Sequence, residues 1–144
     1  MLEKHRSRMK ATVVQEVEAG ARITPAQIGD AETKRSLLYA RVGEVMAKYD
    51  FLVLQATQVP AFDVKQEFVT EIEGVKMESY IDWMRSCYFI TMTALPAISV
   101  PAGFTPEGLP VGIQIVGRHQ DDWSVLQMAH AFEKVSGVKG WPPV

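Results

Sequence analysis

The chain has 144 residues, 47% hydrophobic and 22% charged, with a formal net charge of -2 from 15 Lys+Arg against 17 Asp+Glu. This is the length and composition of one globular domain, and it offers no basic field to grip a phosphate backbone, so nucleic acid is not expected as a direct partner. The single cysteine, Cys87, excludes an internal disulfide and a cysteine metal site, and points to a reducing cytoplasmic setting.

The stretch from Met1 to Arg8 is charged, with no apolar run behind it, so no signal peptide is expected. No segment approaches the roughly 20 apolar residues needed to span a bilayer. Leu2, Met9, Val13 and Val17 recur at helical spacing and predict one amphipathic helix that stops at Gly20. This pattern starts with the chain and has no N-cap, which suggests a segment upstream.

A second helix has a marked start. Thr24 is its cap, Pro25 suits the first helical position, and Gln27 completes a capping box. Ile28, Ala31, Leu38, Val42, Val45 and Tyr49 share one face, and the helix is expected to run to about Lys48. Phe51-Leu52-Val53-Leu54 is an unbroken apolar run. It predicts a strand in the interior of a sheet covered on both sides. Gln55 to Glu73 reads as loop with short extended pieces, and Glu73-Gly74 as a tight turn.

From Tyr80 to Thr93 the chain is apolar and aromatic and predicts a buried helix. Ala97–Val100 and Val111–Val116 then flank Thr105-Pro106-Glu107-Gly108, which predicts an antiparallel hairpin with a long loop. Pro101 and Pro110 cannot donate ladder bonds and are expected to fence that hairpin at its loop end, while Gly112 and Gly117 permit close backbone approach. Asp121 caps a last helix with Val125, Met128, Ala129, Phe132 and Val135 on its inner face and Gly137 as its stop; Gly140 to Val144 is a tail. The fold class is α/β: a partial mixed sheet with flanking helices, read as one domain over residues 1–144.

Two blocks carry a family likeness. Leu95-Pro96-Ala97-Ile98-Ser99-Val100-Pro101-Ala102-Gly103-Phe104, followed by Gly108-Leu109-Pro110-Val111-Gly112-Ile113-Gln114-Ile115-Val116-Gly117-Arg118, resembles the C-terminal block of the amidase-signature family. That family includes many bacterial amidases and the A subunit of the glutamyl-tRNA amidotransferase. Ala129-His130-Ala131-Phe132-Glu133 is similar to its last helix, and Tyr49–Leu54 to its strand before a Pro-rich loop. The family usually has Pro-Thr where this chain has Gln55-Ala56-Thr57.

The resemblance implies carboxamide hydrolysis in the complete enzyme, by a serine nucleophile with a second serine and a lysine. These lie in a Gly/Ser-rich signature, because only glycines let backbone N–H groups crowd an oxyanion. This chain has no Gly-Gly and no Ser-Ser pair, so no catalytic residue is assigned. A Ser99–His119 or His130–Asp121 triad is not supported, since Ser99 falls mid-strand without a nucleophile elbow. Cys87 lies in an apolar run, where a thiol behaves as a small hydrophobe. His5, His119 and His130 lack metal-ligand spacing, and no metal or cofactor is expected.

In relatives, the segment before the Leu-Pro block helps to line the acyl pocket. The resemblance therefore makes Trp83, Met84, Cys87 and Tyr88 the candidate substrate-binding residues. Some relatives hold a polar residue near Met84; the apolar side chain here implies an apolar or aromatic amide. The alternative is plain core packing of an aromatic stripe. Three readings stay open: the C-terminal fragment of an amidase-signature hydrolase, a non-catalytic binding or assembly module, and one chain of a two-chain amidase. Uncovered apolar faces predict a homo-oligomer, or a catalytic N-terminal part elsewhere.

Overall fold

The computed structural model describes residues 2–139; the predicted tail from Gly140 to Val144 lies outside them. The contacts gather into two compact units, Met1–Leu37 and Leu38–Val144.

In the first unit the single N-terminal helix expected from periodicity is broken. A short α1 (Leu2–His5) tightens into a 3-10 turn at Arg6–Arg8, Met9 and Lys10 are extended, and α2 (Ala11–Gly20) follows. Charge explains the break. In a continuous helix Lys4 would face Arg8, and Arg6 would face Lys10, as like-charged i,i+4 neighbours. The break also allows the Arg6 guanidinium to reach the Glu18 carboxylate at 2.6 Å. Twelve residues apart, these groups would be separated by about 18 Å along an unbroken helix.

The start of α3 (Pro25–Met46) is as the sequence predicts. Thr24 N–H donates to Gln27 Oε1 at 2.8 Å, and Gln27 N–H donates to Thr24 Oγ1 at 3.3 Å, which is the reciprocal capping box.

The second unit is organised by β5. β1 (Leu52–Gln55), β4 (Ala97–Phe104) and β5 (Pro110–Val116) form an antiparallel sheet of order β1-β5-β4. The predicted hairpin is present, with Ile98 opposite Ile115 and Val100 opposite Ile113. The expected interior position of Phe51–Leu54 is overturned. Among the described residues β1 pairs with β5 alone and lies at the edge, with Leu52 39% and Val53 47% exposed. An apolar run reports what a strand's faces touch; it carries no information on how many lateral neighbours the backbone finds.

Pro101 is also not where the sequence put it. It sits within β4, opposite Gly112, and the ladder resumes at Gly103 after a bulge. β4 is an edge strand, so a residue without an N–H can be accommodated there, and the bulge absorbs the irregular register.

Pairing register sorts the sheet's two faces. Ile98, Val100, Ile113 and Ile115 lie on one face. This face packs against Ala129, Met128 and Phe132 of α5 (Asp122–Ser136), with Phe51 at the margin. Leu52, Leu54, Ala97, Ser99, Gln114 and Val116 lie on the other face, where Val116 is fully buried while Ala97 and Ser99 are exposed. α5 is capped as expected: Ser124 N–H donates to Asp121 Oδ1 at 3.3 Å, and Gly137 ends the helix at φ 60°.

The corner after β5 holds several elements together. Gly117 N–H donates to Pro96 O at 2.9 Å. A Cβ on Gly117 would stand 2.3 Å from Val125 Cγ2, and Val125 is buried. Arg118 reaches the end of α3: Nε donates to Met46 O at 3.1 Å, and Nη2 donates to Tyr49 O at 3.4 Å and to Asp50 Oδ1 at 2.9 Å. The guanidinium thus satisfies a terminal helix carbonyl and meets the negative end of the helix dipole.

Gly117→Ala is expected to destabilise the chain by about 1–3 kcal/mol, because the added methyl group overpacks a buried contact. In a Val125→Ala background that added cost should largely vanish, since Cγ2 is gone. An unchanged urea midpoint for Gly117→Ala overturns the packing account. Arg118→Met keeps an apolar stem but loses the carbonyl bonds; the same titration should show a loss of about 1–2 kcal/mol, with Arg118→Lys between it and the natural chain.

Candidate functional site

The candidate wall is built by the chain between β1 and β4. After β1 the backbone continues without regular structure to a small hairpin, β2 (Glu71–Ile72) and β3 (Val75–Lys76), closed by Glu73-Gly74 as predicted. A 3-10 turn at Asp82–Met84 then leads into α4 (Arg85–Thr93). The buried helix expected from Tyr80 to Thr93 is therefore shorter and less buried than its hydropathy suggests. Phe89 is 47% and Met92 40% exposed, and within α4 only Ser86 and Thr93 are buried.

Asp82 delays the helix. Its Oδ2 accepts the backbone N–H of Glu78 at 3.0 Å and of Ser79 at 3.1 Å, while Oδ1 accepts from Arg85 Nη2 at 2.6 Å. A carboxylate that offers the preceding backbone an alternative to helix bonds favours a turn. The Arg85 hydrogen bond is the main cause that holds the Asp82 carboxyl below its ordinary value of 3.8, against partial desolvation and with further help from the Glu78 N–H. The same contact raises Arg85.

The four predicted residues are neighbours in the chain, but they do not converge on one cavity. Trp83 belongs to an aromatic cluster, edge-on to Phe62 at 5.4 Å and to Tyr80 at 6.0 Å, with Tyr80 edge-on to Phe68 at 6.5 Å. Met84 is half-buried at the end of the turn. Tyr88 packs edge-on against Phe89 at 5.1 Å. Cys87 donates to Ala56 O at 3.3 Å and borders an open groove of about 620 Å³ between α4 and the Ser99 face of the sheet. Of the four, Cys87 alone lines this groove, together with Ser99, Gln114, His119 and Asp122.

Several contributors were missed. Gln58 Oε1 accepts Ser86 N–H at 3.1 Å and ties the start of α4 to the loop after β1. Phe62 and Phe68 complete the aromatic cluster. All three lie in a segment with no period to read, so only three-dimensional proximity reveals them. Among the described residues, the Trp83 indole N–H and the Ser86 hydroxyl are buried without a protein partner.

The alternative triad does not assemble. Ser99 is exposed in β4, His130 is exposed on α5, and the Asp121 carboxylate is engaged as the α5 cap. Among the described residues no group of three His, Cys, Asp or Glu side chains could hold a metal ion.

Three antiparallel strands backed by one helix, with a Pro/Gly-rich hairpin and an aromatic wall before it, make up a distinct α/β unit, and residues 2–126 match the family Amidase. The chain belongs to that family. It is 34% identical over 134 residues to an acylamidase of Rhodococcus erythropolis, covering 92% of this chain and 28% of that protein. It is 37% identical over 113 residues to the A subunit of the glutamyl-tRNA(Gln) amidotransferase of Brevibacillus brevis, covering 78% of this chain and 22% of that protein. The solved structure of a bacterial aryl acylamidase of the amidase signature family superposes with a TM-score of 0.81 at 28% identity, over 93% of this chain and 28% of that one. The chain thus spans about a quarter of the length of these relatives.

The Asp82 contact has a pH signature. Its carboxyl is held below 3.8, so the stabilisation it gives is complete above that value and is lost as pH falls through the lower, folded-state value. In a chain carrying Trp123→Phe and Trp141→Phe, acidification should change Trp83 emission with a midpoint below 3.8. The added substitution Asp82→Asn should remove that transition. A midpoint above 3.8, or a transition that persists in Asp82→Asn, contradicts the assignment.

Proposed function

We propose that this chain forms a substrate-facing wall of a carboxamide hydrolase and does not itself break the carbon–nitrogen bond. The observation that carries the reading is the family match over residues 2–126 in a chain that spans about a quarter of its relatives' length. The Gly/Ser-rich signature to which the resemblance assigns the nucleophile and its lysine has no counterpart in the sequence. The complete reaction converts an amide and water to a carboxylate and ammonia or an amine, through an acyl-serine intermediate that requires no metal or cofactor.

Trp83, Met84, Cys87 and Tyr88 are the residues we assign to the acyl side of the substrate. Their apolar and aromatic character favours an apolar or aromatic amide over a charged one. The open groove, with Ser99 and Gln114 beside Cys87, supports a neighbour at this place. The neighbour is the catalytic portion, in the same polypeptide or as a separate chain, or a second copy of this chain. No described helix is long and apolar enough to cross a membrane. The lone cysteine favours a reducing cytoplasm.

Purified alone, the chain is expected to release no ammonia above a blank from a panel of aliphatic and aromatic amides. Together with the catalytic portion, it should support turnover. Hydrolysis by the isolated chain that scales with its concentration and survives repurification sinks the proposal.

A further inference from the structure

We propose that Asp82 is a positioning residue for acyl-group selectivity, fixing the angle at which Trp83 and Met84 face the substrate. This rests on the amide-hydrolase reading above. The turn that presents Trp83 is three residues long and has no side-chain cap. Its own backbone bonds are long, Asp82 N–H to Ser79 O at 3.2 Å and Met84 N–H to Ile81 O at 3.3 Å. So short a 3-10 segment has poor hydrogen-bond geometry and takes its conformation from what surrounds it.

Asp82 supplies that outside control. One carboxylate bonds the backbone before the turn, at Glu78 and Ser79, and the guanidinium after it, at Arg85. The next two anchors hold α4 rather than the turn: Gln58 takes Ser86 N–H, and the Ala56 carbonyl takes the Cys87 thiol. The aromatic cluster closes the other side of Trp83 through Phe62 and Tyr80. Between these fixed points, the orientation of Trp83 and Met84 depends on the Asp82 carboxylate. A large flat acyl group would rest against Trp83 and Met84, whereas a two-carbon acyl group would fall short of them. Loss of the clamp therefore affects the two unequally.

The test compares benzamide with acetamide in the complete enzyme, reading the ratio of their kcat/KM values. Asp82→Asn, which breaks the charge pair with Arg85, is expected to lower the benzamide-to-acetamide ratio about fivefold. Arg85→Gln should lower it in the same direction while leaving both backbone bonds to Asp82 in place. It reads the same clamp should Asp82→Asn fail to fold by circular dichroism. The two substitutions combined should act less than additively. Trp83→Ala separates this proposal from the reading beneath it. If Trp83→Ala lowers the ratio and neither clamp variant does, the wall stands and the role of Asp82 is refuted. If Trp83→Ala leaves the ratio unchanged, the wall itself is refuted. A parallel fall on both amides in the clamp variants, at constant ratio, marks a merely structural role and overturns the proposal.

Discussion

The corner at Gly117–Arg118 is the constraint on which the larger unit depends. The central strand ends there, and three separate elements must meet its last residues. Gly117 gives its N–H to Pro96, at the start of the opposite hairpin strand, and leaves the space that Val125 of α5 occupies. One residue later, Arg118 crosses to the carbonyls of Met46 and Tyr49. A residue with a side chain at the first position would push the helix away from the sheet. A residue without a donor at the second would remove the side-chain bonds to the Met46 and Tyr49 carbonyls. The Arg118–Asp50 ion pair is half-exposed on one side and largely exposed on the other, so the carbonyl bonds matter more here than the charge pair.

From that corner follows the asymmetry of the sheet. α5 seals one face, and Ile115, at the middle of the buried layer, is fully buried. On the opposite face Val116 is fully buried, while Ala97, Ser99 and Gln114 border an open groove. Among the described residues both outer strands keep one row of backbone groups without a strand partner in the sheet. Such edges pair readily with further chain. The relatives have that further chain: this sequence accounts for 28% of the superposed acylamidase.

The candidate wall is held by a different kind of force. It has few fully buried side chains, and its order comes from a carboxylate, two side-chain-to-backbone anchors and a set of edge-on aromatic contacts. Polar clamps of this type fix direction where hydrophobic burial alone would leave rotamers free.

The sequence by itself determined the local structure. The Thr24–Gln27 box, the Asp121 cap and the Glu73-Gly74 turn each depend on residues a few positions apart, and short-range chemistry is written directly in the residue order; the 97–116 hairpin is marked by the Pro/Gly turn between its strands. The family was legible for the same reason, because its Pro/Gly pattern is a local record of turns and close approaches. Only the tertiary structure decided the rest. That β1 is an edge strand depends on which strands are present to pair with it, and hydropathy is silent on that. Gln58, Phe62 and Phe68 join the wall across the fold from residues up to 28 positions away, as with Gln58 and Ser86. Their roles arise from proximity, which exists only once the chain has folded.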